Sequence, residues 1–235
     1  MPYLDRVADV FVLNLGTRGV DDSENRMGPN WVAEINALLD EVESSSGPAA
    51  LVTTATGKYF STGVDLSWGA DNLDQINRFI GSVQEMLVRF LTFPMQTVAA
   101  MQGHTYGGAA FFVMAHDHRI MRSDRGFLCF PGVNIGATYS PGTVDMVRAR
   151  LAPHAFHEAL TTGRRYGGGD AMTLGLVDAV STADGLSDDA LARASALVGT
   201  RGDVLREIKR TMYASEVRSL LTPVAGVDEM EWASN

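Results

Sequence analysis

Phe60-Ser61-Thr62-Gly63-Val64-Asp65-Leu66 and, forty residues on, Gly103-His104-Thr105-Tyr106-Gly107-Gly108-Ala109-Ala110 decide the reading of this chain. Each follows a short apolar run, Ala49–Ala55 and Thr97–Met101, that reads as a strand, and the second also opens a helix. Glycine lets a backbone approach another group closely and take angles closed to other residues. Two such turns can aim two main-chain N–H groups at one oxygen, a common way to hold a developing oxyanion.

Outward from these turns the pattern alternates strand and helix. Val10–Leu15 reads as a strand and Gly16–Gly28 as a loop. Asn30–Glu43 is an amphipathic helix, with Pro29 where a missing N–H costs nothing. Ile76, Phe79, Ile80, Val83, Met86, Leu87 and Phe90 line one side of a long helix over Leu73–Phe93, stopped by Pro94. Tyr106–Ala115 is apolar nearly all round, as a buried helix is. Arg119–Arg122 and Gly126–Phe130 read as strands. Helices follow at Pro141–Leu151, capped by Ser140, then at Pro153–Thr162 and Gly169–Leu174. After Asp184 only helices are expected, over Ser187–Val198, Asp203–Tyr213 and Pro223–Ala233. The fold class is α/β, with a core over residues 1–184 and a helical region over residues 185–235.

Composition narrows the function. The 235 residues suit one large domain, and 46% of them are apolar. The formal charge is −9 with no basic run, which argues against nucleic acid as the main partner. No apolar run reaches membrane-spanning length. Asp5, Arg6 and Asp9 precede the first apolar stretch, unlike a signal peptide, and Glu231–Asn235 carries no peroxisomal or retention tripeptide. A cytoplasmic protein is the expectation. The single cysteine, Cys129, sits in the apolar run Phe127–Phe130 and reads as an inert buried thiol.

Other chemistries fall away. His116-Asp117-His118 has two histidines but no third ligand nearby, and His154 and His157 lack the glutamate of a zinc protease motif, so no metal is expected. There is no nucleophile elbow, no phosphate-binding loop and no dinucleotide fingerprint.

The two turns together, with the strand before each, resemble the crotonase superfamily of enoyl-CoA hydratases and isomerases. The resemblance covers most of the chain. It runs through Gly57–Leu66, Gly103–Ala109, His116–Met121, Gly126–Gly136, Leu160–Gly168 and Ala171–Asp178. The wording Ser61–Leu66 and Met121–Leu128 looks most like the Δ3-Δ2 enoyl-CoA isomerase branch. The resemblance implies a crotonase-like spiral of strand–strand–helix turns, followed by a helical region that builds a homotrimer or a hexamer. It implies an acyl-CoA substrate, with no cofactor beyond the CoA that the substrate carries. It implies an oxyanion hole from the N–H groups of Val64 and Gly108, and substrate contacts from Lys58, Ser61, Val64, Asp65, Leu66 and Gly108. Within that set Asp65 is expected to fix its loop, and Lys58 to meet CoA phosphates.

The chain departs from the family where protons are moved. Hydratases carry a glutamate in the helix after the second turn; the matching position is Phe111. The isomerase carboxylate lies in a Pro-Glu segment; here Pro131 is followed by Gly132, and Asn134 is uncharged. Both acid–base positions read as vacated, and glycine at 132 is expected to leave room for a side chain. Asp65, Asp145, Glu85 and Tyr139 are the substitute candidates. Three readings stand: an acyl-CoA enzyme using another group, an acyl-CoA-binding protein without turnover, and an assembly partner that keeps only the scaffold.

Overall fold

The computed structural model describes residues 1–228. In its first half, strands β1 (Tyr3–Val7) and β2 (Val10–Asn14) form a hairpin and helix α1 (Pro29–Ser44) follows. Next come β3 (Ala50–Thr54), β4 (Tyr59–Ser61), α2 (Leu66–Asp71), α3 (Leu73–Leu91), β5 (Thr97–Met101), β6 (His104–Tyr106) and α4 (Gly108–Met114). The second half holds β7 (His118–Arg122), β8 (Leu128–Cys129), α5 (Gly132–Ile135), α6 (Pro141–Arg150), α7 (Pro153–Thr162), α8 (Gly168–Thr173) and β9 (Ala179–Ser181). It ends with α9 (Leu186–Ser195), α10 (Asp203–Met212) and α11 (Ala214–Leu220).

The strands fall into two sheets. The larger runs β1-β2-β3-β5-β7-β9, parallel except for the first hairpin; the smaller runs β4-β6-β8, all parallel. Each winding places one strand in the large sheet and the next in the small one before a helix returns the chain. This is the strand–strand–helix spiral that the resemblance implies. Four strands escape the sequence pattern, β1, β4, β6 and β9. The last three have three residues each, too few to display a period of two.

Parallel strands buried on both faces read as continuous apolar runs. Leu51, Ala99, Met101 and Met121 face the main core, with α1, α3 and α4. Their alternates Val10, Val52, Val98, Ala100 and Ile120 face the other side, covered by Leu186, Ala190 and Ala194 of α9. Helix α9 thus completes the sheet's second face, and a boundary after residue 184 falls inside packed structure.

The rest of the helical tail folds back on its own chain. Helix α11 packs on α6 and α3, burying Leu220. Lys209 of α10 is buried, yet its ammonium is fully used: Nζ donates to the carbonyls of Phe93 and Met95 and to Asp117 Oδ2, at 3.1, 3.0 and 2.6 Å. Residues 223–228 are not helical, and the remainder of the helix expected over Pro223–Ala233 lies outside the described residues. The side chains of the His116-Asp117-His118 run serve the frame. Asp117 accepts from Lys209 and from Thr97 N. His116 is fully buried; its Nδ1–H donates to the Phe112 carbonyl and its Nε2 accepts from Thr53 Oγ1, at 3.0 and 2.9 Å.

Burial pulls the His116 imidazole down to about 4, from 6.5 in an exposed chain. Between those values the unfolded chain binds a proton that the folded one refuses, so stability rises with pH across the window. The stabilisation is complete above about pH 6.5 and is lost as pH falls toward 4. Chemical denaturation followed over that window should show this slope, and a folded His116→Gln variant should show a flatter one.

Candidate active site

The first glycine turn is held from behind by the loop before α1. Ser61 Oγ donates to Asn25 O at 2.7 Å and accepts from Gly63 N at 3.1 Å. Met27 N donates to Gly63 O, and Asp65 N to Met27 O, at 2.8 and 3.0 Å. Asp65 then caps α2, its Oδ1 accepting from Trp68 N and from Ser67 Oγ, with Arg26 3.7 Å away. Burial alone would push the Asp65 carboxyl up. The hydrogen bonds from Ser67 and Trp68, and Arg26, outweigh it and leave the group below the usual carboxylate range.

The second turn lies directly against the first. Gly63 has φ +86°, and a Cβ there would lie 2.5 Å from Tyr106 O and 2.6 Å from Gly108 N. A Cβ on Gly108 would come within 3.0 Å of Val64 N. Gly107, at φ 56° and ψ −120°, turns the chain into α4. Gly108 is the first residue of that helix, where an amide has no partner within the helix. Among the described residues neither Val64 N–H nor Gly108 N–H donates to a main-chain or side-chain acceptor. Two adjacent, unused donors therefore meet at the crossing of the turns.

They open on a cavity of about 340 Å³. Its wall is mostly apolar: Val64 and Leu66 from the first turn, Ile80, Val83 and Leu87 from α3, and Phe111 from α4. Gly132 and Tyr139 close another side. The structure thus brings together Val64, Leu66, Gly108, Phe111 and Gly132. It leaves three other expected contacts outside the lining. Ser61 is fully buried in the turn, Asp65 is spent on the α2 cap, and Lys58 is exposed with its ammonium 5.0 Å from the Tyr59 ring centre.

No carboxylate lines the cavity among the described residues. Asp145 is held by Arg148 and by Ser219 Oγ, and Glu85 lies on the exposed side of α3. Of the four substitute candidates only Tyr139 reaches the cavity. It also corrects the expectation of free space at Gly132. The Gly132 N–H donates to Tyr139 Oη at 2.6 Å, and a Cβ on Gly132 would lie 2.6 Å from the phenol oxygen and from Ala137 O. The ring of Tyr139 meets Phe111 edge to face at 5.0 Å. Burial pushes the phenol up, so it stays protonated at neutral pH and can donate a hydrogen bond but not take a proton.

The sequence and the fold are met in known proteins. A sequence profile described as enoyl-CoA hydratase/isomerase matches residues 19–230. The chain belongs to this family. It is 31% identical to the enoyl-CoA delta isomerase 2, peroxisomal, of Arabidopsis thaliana, over 91% of this chain and 92% of that one. It is 30% identical to the enoyl-CoA delta isomerase 3 of the same plant, with the same coverage. In fold it superposes on human mitochondrial Δ3-Δ2-enoyl-CoA isomerase with a TM-score of 0.86 at 18% identity, covering 97% of this chain and 88% of that one. A probable enoyl-CoA hydratase of Mycobacterium tuberculosis gives the same TM-score at 22% identity, covering 97% and 94%. No helix of the described residues is long and apolar enough to cross a membrane.

Sequence reasoning missed Gln84, which lines the cavity from α3. Its signal was available: Gln84 sits four residues after Ile80 and three before Leu87, inside the apolar stripe.

The crossing of the turns tolerates no side chain at Gly63. Gly63→Ala should destabilise the protein by about 2 kcal/mol or more, from the positive φ together with the collision. Gly81→Ala, in open space within α3, should instead stabilise by roughly 0.5–1 kcal/mol. Urea denaturation of both variants measures the contrast.

Proposed function

We propose that this family member binds an acyl-CoA thioester with its carbonyl oxygen between the N–H groups of Val64 and Gly108, as a Δ3-Δ2 enoyl-CoA isomerase-like enzyme of low activity. The supporting observation is the pair of unused amide donors at the mouth of an apolar cavity. Such donors stabilise the enolate formed when a proton leaves the carbon next to the thioester, each worth on the order of 3 kcal/mol. They do not move the proton. A general base typically contributes about 10²–10⁴ in rate, and no carboxylate lines this cavity among the described residues. The second reading, a binding protein without turnover, draws on the same fact and on the Tyr139 phenol in the space beside Gly132. CoA enters as part of the substrate, and a cytoplasmic location belongs to the same proposal.

Calorimetry and an isomerase assay on a 3-enoyl-CoA separate these readings. The wild-type chain should bind acyl-CoA and turn over slowly, about 10²–10⁴ below an enzyme with its base. Gly108→Pro removes one donor and fills its space, and should weaken binding by about tenfold or more. Gly132→Glu should bring no gain, since the new side chain collides with Tyr139 and Ala137 O. Fast wild-type turnover, or unchanged affinity in a folded Gly108→Pro variant, overturns the proposal.

Self-association into a trimer, or a dimer of trimers, is part of the same proposal. Leu220 is buried within its own chain, whereas Val204, Ile208 and Met212 leave an exposed apolar stripe along α10. Sedimentation at micromolar concentration should give a trimer or larger for the wild type, and a smaller species for Ile208→Asp.

A further inference from the structure

Gln84 is out of place. It is 1% exposed on a helix face of Ile80, Val83 and Leu87, and it lines the acyl cavity with them. Its amide is half satisfied. Oε1 accepts from Ser140 Oγ at 2.8 Å, while Nε2 has no partner among the described residues. The hydroxyls around it accommodate that orientation. Thr143 Oγ1 gives its proton to Ser140 O at 2.9 Å, Ser140 Oγ accepts from Thr143 N, and of its two acceptor neighbours, Thr143 Oγ1 at 3.0 Å and Gln84 Oε1 at 2.8 Å, the Ser140 proton goes to the nearer. The other buried donors and acceptors left without partners, such as Asn25 Oδ1 and His104 Nδ1, do not line this cavity.

An unpaired donor in an apolar cavity costs free energy, and a leucine would complete the stripe. A ligand oxygen that accepts from Nε2 removes that cost when it binds. The cavity wall has no Lys, Arg or His among the described residues, so nothing there neutralises a carboxylate. A neutral oxygen fits, and an anionic one does not.

We infer that the acyl chain bound here carries a neutral oxygen acceptor, a keto or hydroxyl group, which Gln84 Nε2 recognises. This deepens the proposed acyl-CoA reading and rests on it. A site built to hydrogen-bond a substrate oxygen discriminates against the hydrocarbon analogue, because the analogue leaves the site's donor unpaired.

The test is calorimetric. A series of medium-chain acyl-CoA thioesters, each with one keto group moved stepwise along the chain, is compared with the unsubstituted parent. The wild type should bind one position in the series about tenfold more tightly than the parent. Gln84→Leu should lose that preference, bind the parent at least as well, and melt higher in the absence of ligand. Gln84→Met provides a second apolar replacement with the same expectation. If the parent binds and no keto position is preferred, or if the preference survives in both variants, this inference is overturned while the acyl-CoA reading stands. If no member of the series binds, parent included, both fall.

Discussion

The contact of Gly63 with the backbone of residues 106–109 is the constraint on which this molecule depends. Two windings of the spiral approach so closely that no side chain fits between them: a Cβ on Gly63 would lie 2.5 Å from Tyr106 O. The approach joins β4 to the entry of α4 and leaves the amides of Val64 and Gly108 side by side. Everything behind the turn exists to keep it there. Asn25, Met27 and Ser61 satisfy the backbone groups of the first turn, and Asp65 caps the helix that leaves it. Fold and site are therefore one arrangement, since the geometry that closes the spiral also exposes the donors.

What surrounds the donors sets what they can do. Amide donors in an apolar surrounding hold a charge strongly because no solvent reorganises around it. Moving a proton requires a titratable group in the same space. Here that space holds a phenol, kept neutral by burial and tied by its oxygen to the Gly132 amide, with the Phe111 ring against it. Aromatic packing fills that space. The polar exception is Gln84, whose unused amide donor lies among aliphatic side chains where packing alone would favour a leucine.

The C-terminal region shows how buried charge can fasten one part of a chain to another. Lys209 is tolerated inside the molecule because two carbonyls and Asp117 consume its three donors. That anchor holds α10 against the turn after α3, and α11 follows onto α6. Val227 then lines the cavity, with its N–H donating to Asn77 Oδ1 at 3.0 Å. The tail thereby becomes a wall of its own chain's cavity, while one stripe of α10 stays uncovered.

Much of this was readable from residues alone, because the signals are local. Proline stops, the Ser140 cap, apolar periodicity and the two glycine turns each act within a few residues, and they placed the long helices and most strands of the large sheet. The uncharged identities of positions 111 and 132 are equally plain in the sequence. What the sequence could not reveal depends on contacts between distant segments. That α9 completes the far face of the sheet follows from the order of strands that lie far apart in the chain. That Ser61 looks inward, toward the loop at 25–27, follows from how that loop packs. Most of all, the absence of a side chain at Gly132 says nothing of what fills the space. Only the folding back of residues 137–139 decides that a tyrosine ring lies there, because occupancy of a cavity is set by every segment that meets at it and not by the residue that vacates it.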